Sequence, residues 1–182
     1  HCARVLFVVS LILAAVAPRA AELEFSVLGV DSGLSQSTVT AIAQGPEGFL
    51  WMGTPDGINR YDGYEFVLFD EEHGLEDDDV TALYRDSHGT LWVGTRYAGL
   101  HRYDEQTRTF AHVAPDEPMS APVTSLAEDV NGDLWVGTHG EGLYRIEADG
   151  EGHSRLRHDP MATPSLSSGA ITALAADRSG FV

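Results

Sequence analysis

One five-residue phrase occurs three times in the chain, as Leu50-Trp51-Met52-Gly53-Thr54, Leu91-Trp92-Val93-Gly94-Thr95 and Leu134-Trp135-Val136-Gly137-Thr138. Its tryptophans lie 41 and 43 residues apart, a period at which one supersecondary unit recurs as a propeller blade or solenoid rung. The flanking segments repeat as well. Val39-Thr40-Ala41-Ile42, Val80-Thr81-Ala82-Leu83, Val123-Thr124-Ser125-Leu126 and Ile171-Thr172-Ala173-Leu174 lie upstream. Between the two segments sit Asp86-Ser87-His88-Gly89, Asp129-Val130-Asn131-Gly132 and Asp177-Arg178-Ser179-Gly180, with Gly45-Pro46-Glu47-Gly48 as a deviant first copy. These read as hairpin turns, in which Asp accepts from the backbone ahead of it and Gly supplies a positive φ. Third strands follow at Gly57–Asp62, Gly99–Asp104 and Gly142–Glu147, and fourth strands near Tyr64–Phe69 and Thr109–Val113. Four short strands per period predict an all-β fold, an incomplete β-propeller of about three four-stranded blades plus a partial fourth.

Blade physics explains the residue types. A blade packs both faces against neighbours, so its strands are apolar nearly throughout. The innermost strands crowd an axis, which suits small side chains at Ala41, Ala82, Ser125 and Ala173. Trp51, Trp92 and Trp135 are read as packing elements, and Gly53, Gly94 and Gly137 as points where another backbone approaches closely.

The runs Gly48-Phe49-Leu50-Trp51-Met52-Gly53-Thr54 and Gly57-Ile58-Asn59-Arg60-Tyr61-Asp62-Gly63, with the opening Gly33-Leu34-Ser35-Gln36-Ser37-Thr38-Val39, resemble the two-component-regulator propeller repeat. The resemblance covers roughly Glu24 to Val182. It implies the extracytoplasmic sensor of a bacterial signalling protein. In that family, paired propellers precede a β-sandwich, a membrane helix and an output module such as a histidine kinase or diguanylate cyclase, parts that lie outside these 182 residues. It further implies a membrane-anchored homodimer on the periplasmic side of the inner membrane. The ligand would be a small molecule or carbohydrate, biasing two arrangements of the dimer.

The chain starts at His1 rather than Met, and Arg4 followed by the apolar run Val5–Ala17 and small residues to Ala21 reads as a secretory signal sequence lacking its true start. Residues 1–21 are assigned to that signal, with cleavage after Ala17, Ala20 or Ala21, and residues 23–182 to the propeller, with repeats near 33–73, 74–118, 119–161 and 165–182. The single cysteine, Cys2, precedes the apolar run, so the exported part has no thiol and no disulfide. Twenty-eight acidic residues oppose eleven basic ones, all arginine, for a net charge of −17; removal of Arg4 and Arg19 leaves nine against twenty-eight, or −19. Such a surface repels phosphate backbones and excludes nucleic acid as a partner.

Three repeats do not close a ring of four to eight blades. Glu24–Leu28 is expected to serve as an outermost strand that joins the last blade, and Gly180-Phe181-Val182 to break off inside a hairpin. An arc with two open radial faces exposes apolar surface and should aggregate if expressed alone.

Alternating strand direction puts the second-to-third-strand loops and the inter-blade connections at one end. These loops carry Pro55 and Asp56, then Arg96, Tyr97 and Ala98, then His139, Gly140 and Glu141. Varied polar and aromatic residues on one rim of a rigid scaffold are a usual source of specificity, and Arg96, Tyr97, His139 and Glu141 are the candidate ligand-binding residues. Asp129–Asp133 opens like a calcium loop but has Leu134 at the sixth position and Gly140 at the twelfth, so it reads as a turn. The run Glu76-Asp77-Asp78-Asp79 reads as a solvated loop leading into an inner strand. His153 and His158 flank Arg155 and Arg157 in an outer strand or loop. No hydrolase, nucleotide-binding or paired-Cys motif occurs, so no catalytic residue, metal site or cofactor is assigned. A secreted propeller enzyme, such as a polysaccharide or streptogramin-type lyase, and a protein-binding scaffold remain alternatives.

Overall fold

The structure, a computed structural model, describes residues 25–45, 47–113, 119–148, 152–163 and 165–177. The expected signal sequence and the final Gly180-Phe181-Val182 lie outside the described residues. Among the described residues twelve strands form three four-stranded antiparallel sheets in sequence order. The first holds β1 (Ala41–Gln44), β2 (Leu50–Thr54), β3 (Gly57–Tyr61) and β4 (Phe66–Phe69). The second holds β5 (Val80–Arg85), β6 (Leu91–Thr95), β7 (Leu100–Asp104) and β8 (Thr109–Val113). The third holds β9 (Val123–Glu128), β10 (Leu134–Thr138), β11 (Leu143–Ile146) and β12 (His153–Leu156). The innermost strands β1, β5 and β9 lie against one another in that order. The fold is therefore three consecutive blades of a β-propeller.

Cross-strand register sets the faces. Trp51 stands opposite Ala43 and Arg60, Trp92 opposite Tyr84 and Arg102, and Trp135 opposite Ala127 and Arg145. Each indole is thus at the same backbone position of its sheet, on the face turned toward the following blade. The first inter-blade core joins Trp51, Ile58 and Phe69 to Val80, Leu91, Val93, Tyr103 and Phe110; the second joins Ala82, Trp92 and Leu100 to Val123, Leu126, Leu134, Val136, Tyr144 and Ile146. Burial on both faces of β6 leaves all five of its residues buried, as a strand between two sheets requires.

The glycine of the repeated phrase has a different cause from the one expected. A Cβ at Gly53 would stand 2.4 Å from Val80 Cγ1, one at Gly94 2.4 Å from Val123 Cγ1, and one at Gly137 2.7 Å from Ile171 Cγ2. What approaches is the β-branched side chain at the start of the next repeat, Val80, Val123 or Ile171, not a backbone. Each blade therefore carries a notch that its successor fills. Thr40 and Thr124 reinforce the junction, donating their hydroxyls to Val80 O at 2.7 Å and Ile171 O at 2.7 Å. The threonine after each glycine closes the turn into the third strand: Thr54, Thr95 and Thr138 are wholly buried, and their hydroxyls reach Gly57 O, Gly99 O and Gly142 O at 3.0, 3.3 and 2.8 Å.

The turn aspartates do more than hold backbone. Asp86 Oδ1 accepts from the His88 and Thr90 amides, and Asp129 Oδ1 from those of Asn131 and Asp133. Their second oxygens accept the indole N–H of Trp92 at 2.8 Å and Trp135 at 3.0 Å. In the deviant first copy Gly45 replaces the aspartate, and a Cβ there would stand 2.2 Å from Trp51 Nε1. The indole occupies the vacated space and packs in an aromatic cluster, 4.8 Å from Tyr103 and 5.2 Å from Phe69 between ring centroids.

Two expected strands are absent among the described residues. Phe25–Leu28 is extended but unpaired, with Phe25 87% and Val27 91% exposed, because no neighbouring strand among the described residues offers it a ladder. Ile171–Leu174 is not a strand either. Ala170 makes an isolated bridge to His139, and the Ile171 amide donates to Thr138 O at 2.9 Å. The strand that should follow it in a hairpin falls outside the described residues.

Candidate ligand-binding rim

The connection entering each blade crosses its loop end as a strap anchored by a buried Leu34, Leu75 or Met119. A third-strand residue ties the strap down by three different chemistries. Asn59 Oδ1 accepts from the Ser35 amide at 2.9 Å and Nδ2 donates to Ser35 Oγ at 2.7 Å. His101 Nε2 accepts from the Glu76 amide at 3.3 Å. The Tyr144 hydroxyl donates to Glu141 Oε2 at 2.9 Å, and the same oxygen accepts from the Ser120 amide at 3.2 Å. His101 is completely buried, and burial, aided by His112 with its ring centroid 5.2 Å away, pushes its pKa down to about 4. It is neutral at pH 7, and the bond at Nε2 assigns the proton to Nδ1.

The acidic run expected as a solvated loop is the strap of the second blade. Asp77 Oδ2 accepts from the Tyr97 amide at 2.6 Å, Asp78 O from the Gly57 amide at 2.9 Å, and Asp79 pairs with the Arg96 guanidinium. Burial, with Glu71, Asp70, Asp56 and Asp77 nearby, raises the Asp78 carboxyl above the ordinary range. This part of the rim is strongly negative.

The four sequence-predicted residues sit on the same end of two adjacent sheets but have different duties. Arg96 is held by Asp79. Tyr97 projects its ring, 72% exposed. His139 has its backbone bound to Pro122 O while its side chain is exposed. Glu141 is engaged by Tyr144 and Ser120, with Arg155 Nη2 3.8 Å away. It also lines a cavity of about 330 Å³ with Gly140, Arg155, Arg157, His158 and Gly169, a wall to which neither Arg96 nor Tyr97 contributes.

Arg155, Arg157 and His158 are the rim residues that sequence reasoning did not assign. Their signal was a basic pair in an acidic chain. Their relevance depends on β12 running back to the loop end, which delivers Arg157 and His158 beside Glu141. Arg155 lies over the Tyr144 ring, 4.7 Å from its centroid, and donates from Nε to Glu141 O at 2.7 Å. The rim thus combines an exposed aromatic ring, a negative strap and a basic cavity, means for binding by hydrogen bonds and stacking. Among the described residues no group of three or more His, Cys, Asp or Glu is arranged to hold a metal ion.

Consecutive β-propeller blades with their connecting loops gathered on one rim are the class these features define. The family described as Two component regulator propeller matches residues 33–56, 74–97 and 118–140, one copy of its repeat in each blade. Among solved structures it is similar to two extracellular domains from B. thetaiotaomicron. One is described as that of a one component system (27% identity, TM-score 0.69, 82% of this chain and 20% of that one), the other as that of a hybrid two component system (26%, 0.66, 80% and 21%). A curated protein, Histidine kinase P4 of Formosa agariphila, is 51% identical over 37 residues, 20% of this chain and 3% of the kinase. The chain thus spans about a fifth of those structures and a far smaller part of the kinase. Its similarity to extracellular domains marks an extracytoplasmic region, and among the described residues no helix is long and apolar enough to cross a membrane.

Proposed function

We propose that this chain is the ligand-sensing propeller of a membrane-anchored, dimeric bacterial signalling protein with a histidine kinase or diguanylate cyclase output, acting from the periplasmic side of the inner membrane. The observation that carries this reading is the arrangement of three two-component-regulator repeats as successive blades sharing one loop rim. A small molecule or carbohydrate binds at that rim, where Tyr97 offers a stacking face and the Glu141, Arg155, Arg157 and His158 cavity offers charged partners. Arg96 and His139 flank these contacts. Because the straps join rim loops of adjacent blades, through bonds such as Gly57 N–H to Asp78 O, a ligand that tightens one loop shifts its neighbour. Only its differential affinity for the two dimer arrangements transmits a signal.

The test uses the complete gene. Alkaline phosphatase joined after Val182 should be active in intact cells, and an inactive fusion overturns the location. Output should then be recorded on a panel of carbohydrates and small metabolites. Tyr97→Ala and Arg157→Ala should each raise the half-maximal concentration of the responding compound about tenfold, a loss of about 1.4 kcal/mol. An unchanged half-maximal concentration in both variants overturns the rim as the binding site.

A further inference from the structure

At the opposite end of the sheets, between the first and second blades, a cleft of about 60 Å³ is lined by Glu47, Phe49, Trp51, Arg60, Tyr103, Glu105 and Arg108. Its arginines distinguish it. In the third blade Arg145, at the same register as Arg60, is neutralised by Asp133, which accepts from its Nε at 2.8 Å and also from Nη2. In the first blade Phe49 stands where Asp133 would be, and Arg60 makes no ion pair among the described residues. Its guanidinium is layered among rings, 5.1 Å from the Phe49 centroid, 5.9 Å from Trp51 and 5.7 Å from Phe69, with Nε buried and unpartnered. A buried charged donor without an acceptor is costly, so such a group calls for a partner.

Two further features converge on the same space. Arg108 lines it from the β7–β8 turn; among the described residues it holds the one non-glycine positive φ, 57°, and it too makes no ion pair. Tyr103 is 9% exposed, and burial keeps its hydroxyl protonated well beyond neutral pH, as a donor. The corresponding cleft between the second and third blades has Ile146 in place of Tyr103, and its Trp92 N–H is already bound by Asp86.

We infer that the cleft formed by Arg60, Tyr103 and Arg108 binds a carboxylate group carried by a small organic acid, at a site separate from the loop rim. A planar carboxylate matches the guanidinium fork. At 10–15 Å³ per water-sized probe the cleft has room for about four to six such probes, enough for the head group while the remainder of the ligand stays in solvent. Glu47 and Glu105 at the walls oppose an anion and so weaken the site; they set its affinity rather than fill it.

The test is arginine footprinting of the intact protein with phenylglyoxal at constant ionic strength, read by mass spectrometry. Sodium acetate should protect Arg108 and Arg60 saturably, about tenfold at saturation, while the exposed Arg102 of the second cleft reacts unchanged. Glu105→Gln should lower the half-protecting acetate concentration several-fold. Arg108→Asn, in which Asn tolerates the same positive φ, should abolish protection of Arg60. Sodium sulfate should protect only at higher concentration. Absent or non-saturating protection, or equal protection at Arg102, overturns the site, and sulfate protecting as well as acetate overturns the carboxylate assignment.

Discussion

Replacing Gly94 by Ala isolates the junction between blades. The new methyl would lie 2.4 Å from Val123 Cγ1, 2.7 Å from Val123 Cβ and 3.3 Å from Ala82 Cβ. Val123 is fully buried in the second inter-blade core, so it cannot swing away. Overpacking of this kind costs about 1–3 kcal/mol, offset by the roughly 0.5–1 kcal/mol that Ala gains over Gly in a strand. The net expectation is about 1–2 kcal/mol of destabilisation. Val123→Ala alone removes two methyl groups, about 1.6 kcal/mol of transfer free energy plus a cavity contribution, or about 2–3 kcal/mol in all. In the double variant the added methyl enters the space the valine leaves. Its cost should fall at least about 1 kcal/mol short of the sum of the two. Urea unfolding followed by tryptophan fluorescence measures all three. Gly29→Ala, with nothing within 4 Å of the added Cβ and an extended backbone, should change stability by less than about 0.5 kcal/mol. A neutral Gly94→Ala, or strict additivity in the double variant, refutes the notch.

Two further predictions concern pH. His101, at about 4 in the fold against about 6.5 unfolded, binds protons more readily in the unfolded chain. Its penalty is absent above pH 6.5, grows as pH falls toward 4 and reaches roughly 3 kcal/mol; His101→Asn, which adopts the residue of the first blade, should flatten stability over that window in urea titrations at several pH values. Asp129 moves the other way. Burial, the largest influence, raises its pKa, but the bonds from Trp135, Asn131 and Asp133 outweigh it and the net shift is downward. Its contribution is complete above about pH 3.9 and lost as pH falls through the lower folded value. Asp129→Asn should remove that acid dependence and turn an amide toward the Trp135 N–H, costing about 1–3 kcal/mol by thermal or urea unfolding.

Strand positions were legible where local pattern and tertiary demand agree. The three second strands begin and end at the leucine and threonine of the repeated phrase, because two-sided burial and the Thr-closed turn are both written into it. What sequence could not show was what each feature meets in space. Gly94 reads as a close approach, but only the packed sheets reveal that Val123 makes it. Trp92 and Asp86 are six residues apart and the hairpin joins them, while the loss of that aspartate at Gly45 makes sense only with Trp51 lying in its place. Phe25–Leu28 has strand composition without a ladder, and pairing decides strands. At the rim the loops were found, but Glu141 proved half committed to holding a strap, and Arg157 and His158 entered through the return of an outer strand.

Successive wedge-shaped sheets, each seating a side chain of the next, can be tested by cross-linking in the intact protein. Gly53 and Val80 would have Cβ atoms 3.1 Å apart, and Gly137 and Ile171 3.2 Å, slightly inside the 3.5–4.5 Å spanned by disulfides. Non-reducing peptide mapping of Gly53→Cys/Val80→Cys and Gly137→Cys/Ile171→Cys should find both disulfides after mild oxidation, and none for Gly53→Cys/Val123→Cys, which skips a blade. Bridging in the skipped pair, or free thiols in both adjacent pairs, would contradict the blade order on which the sensor reading stands.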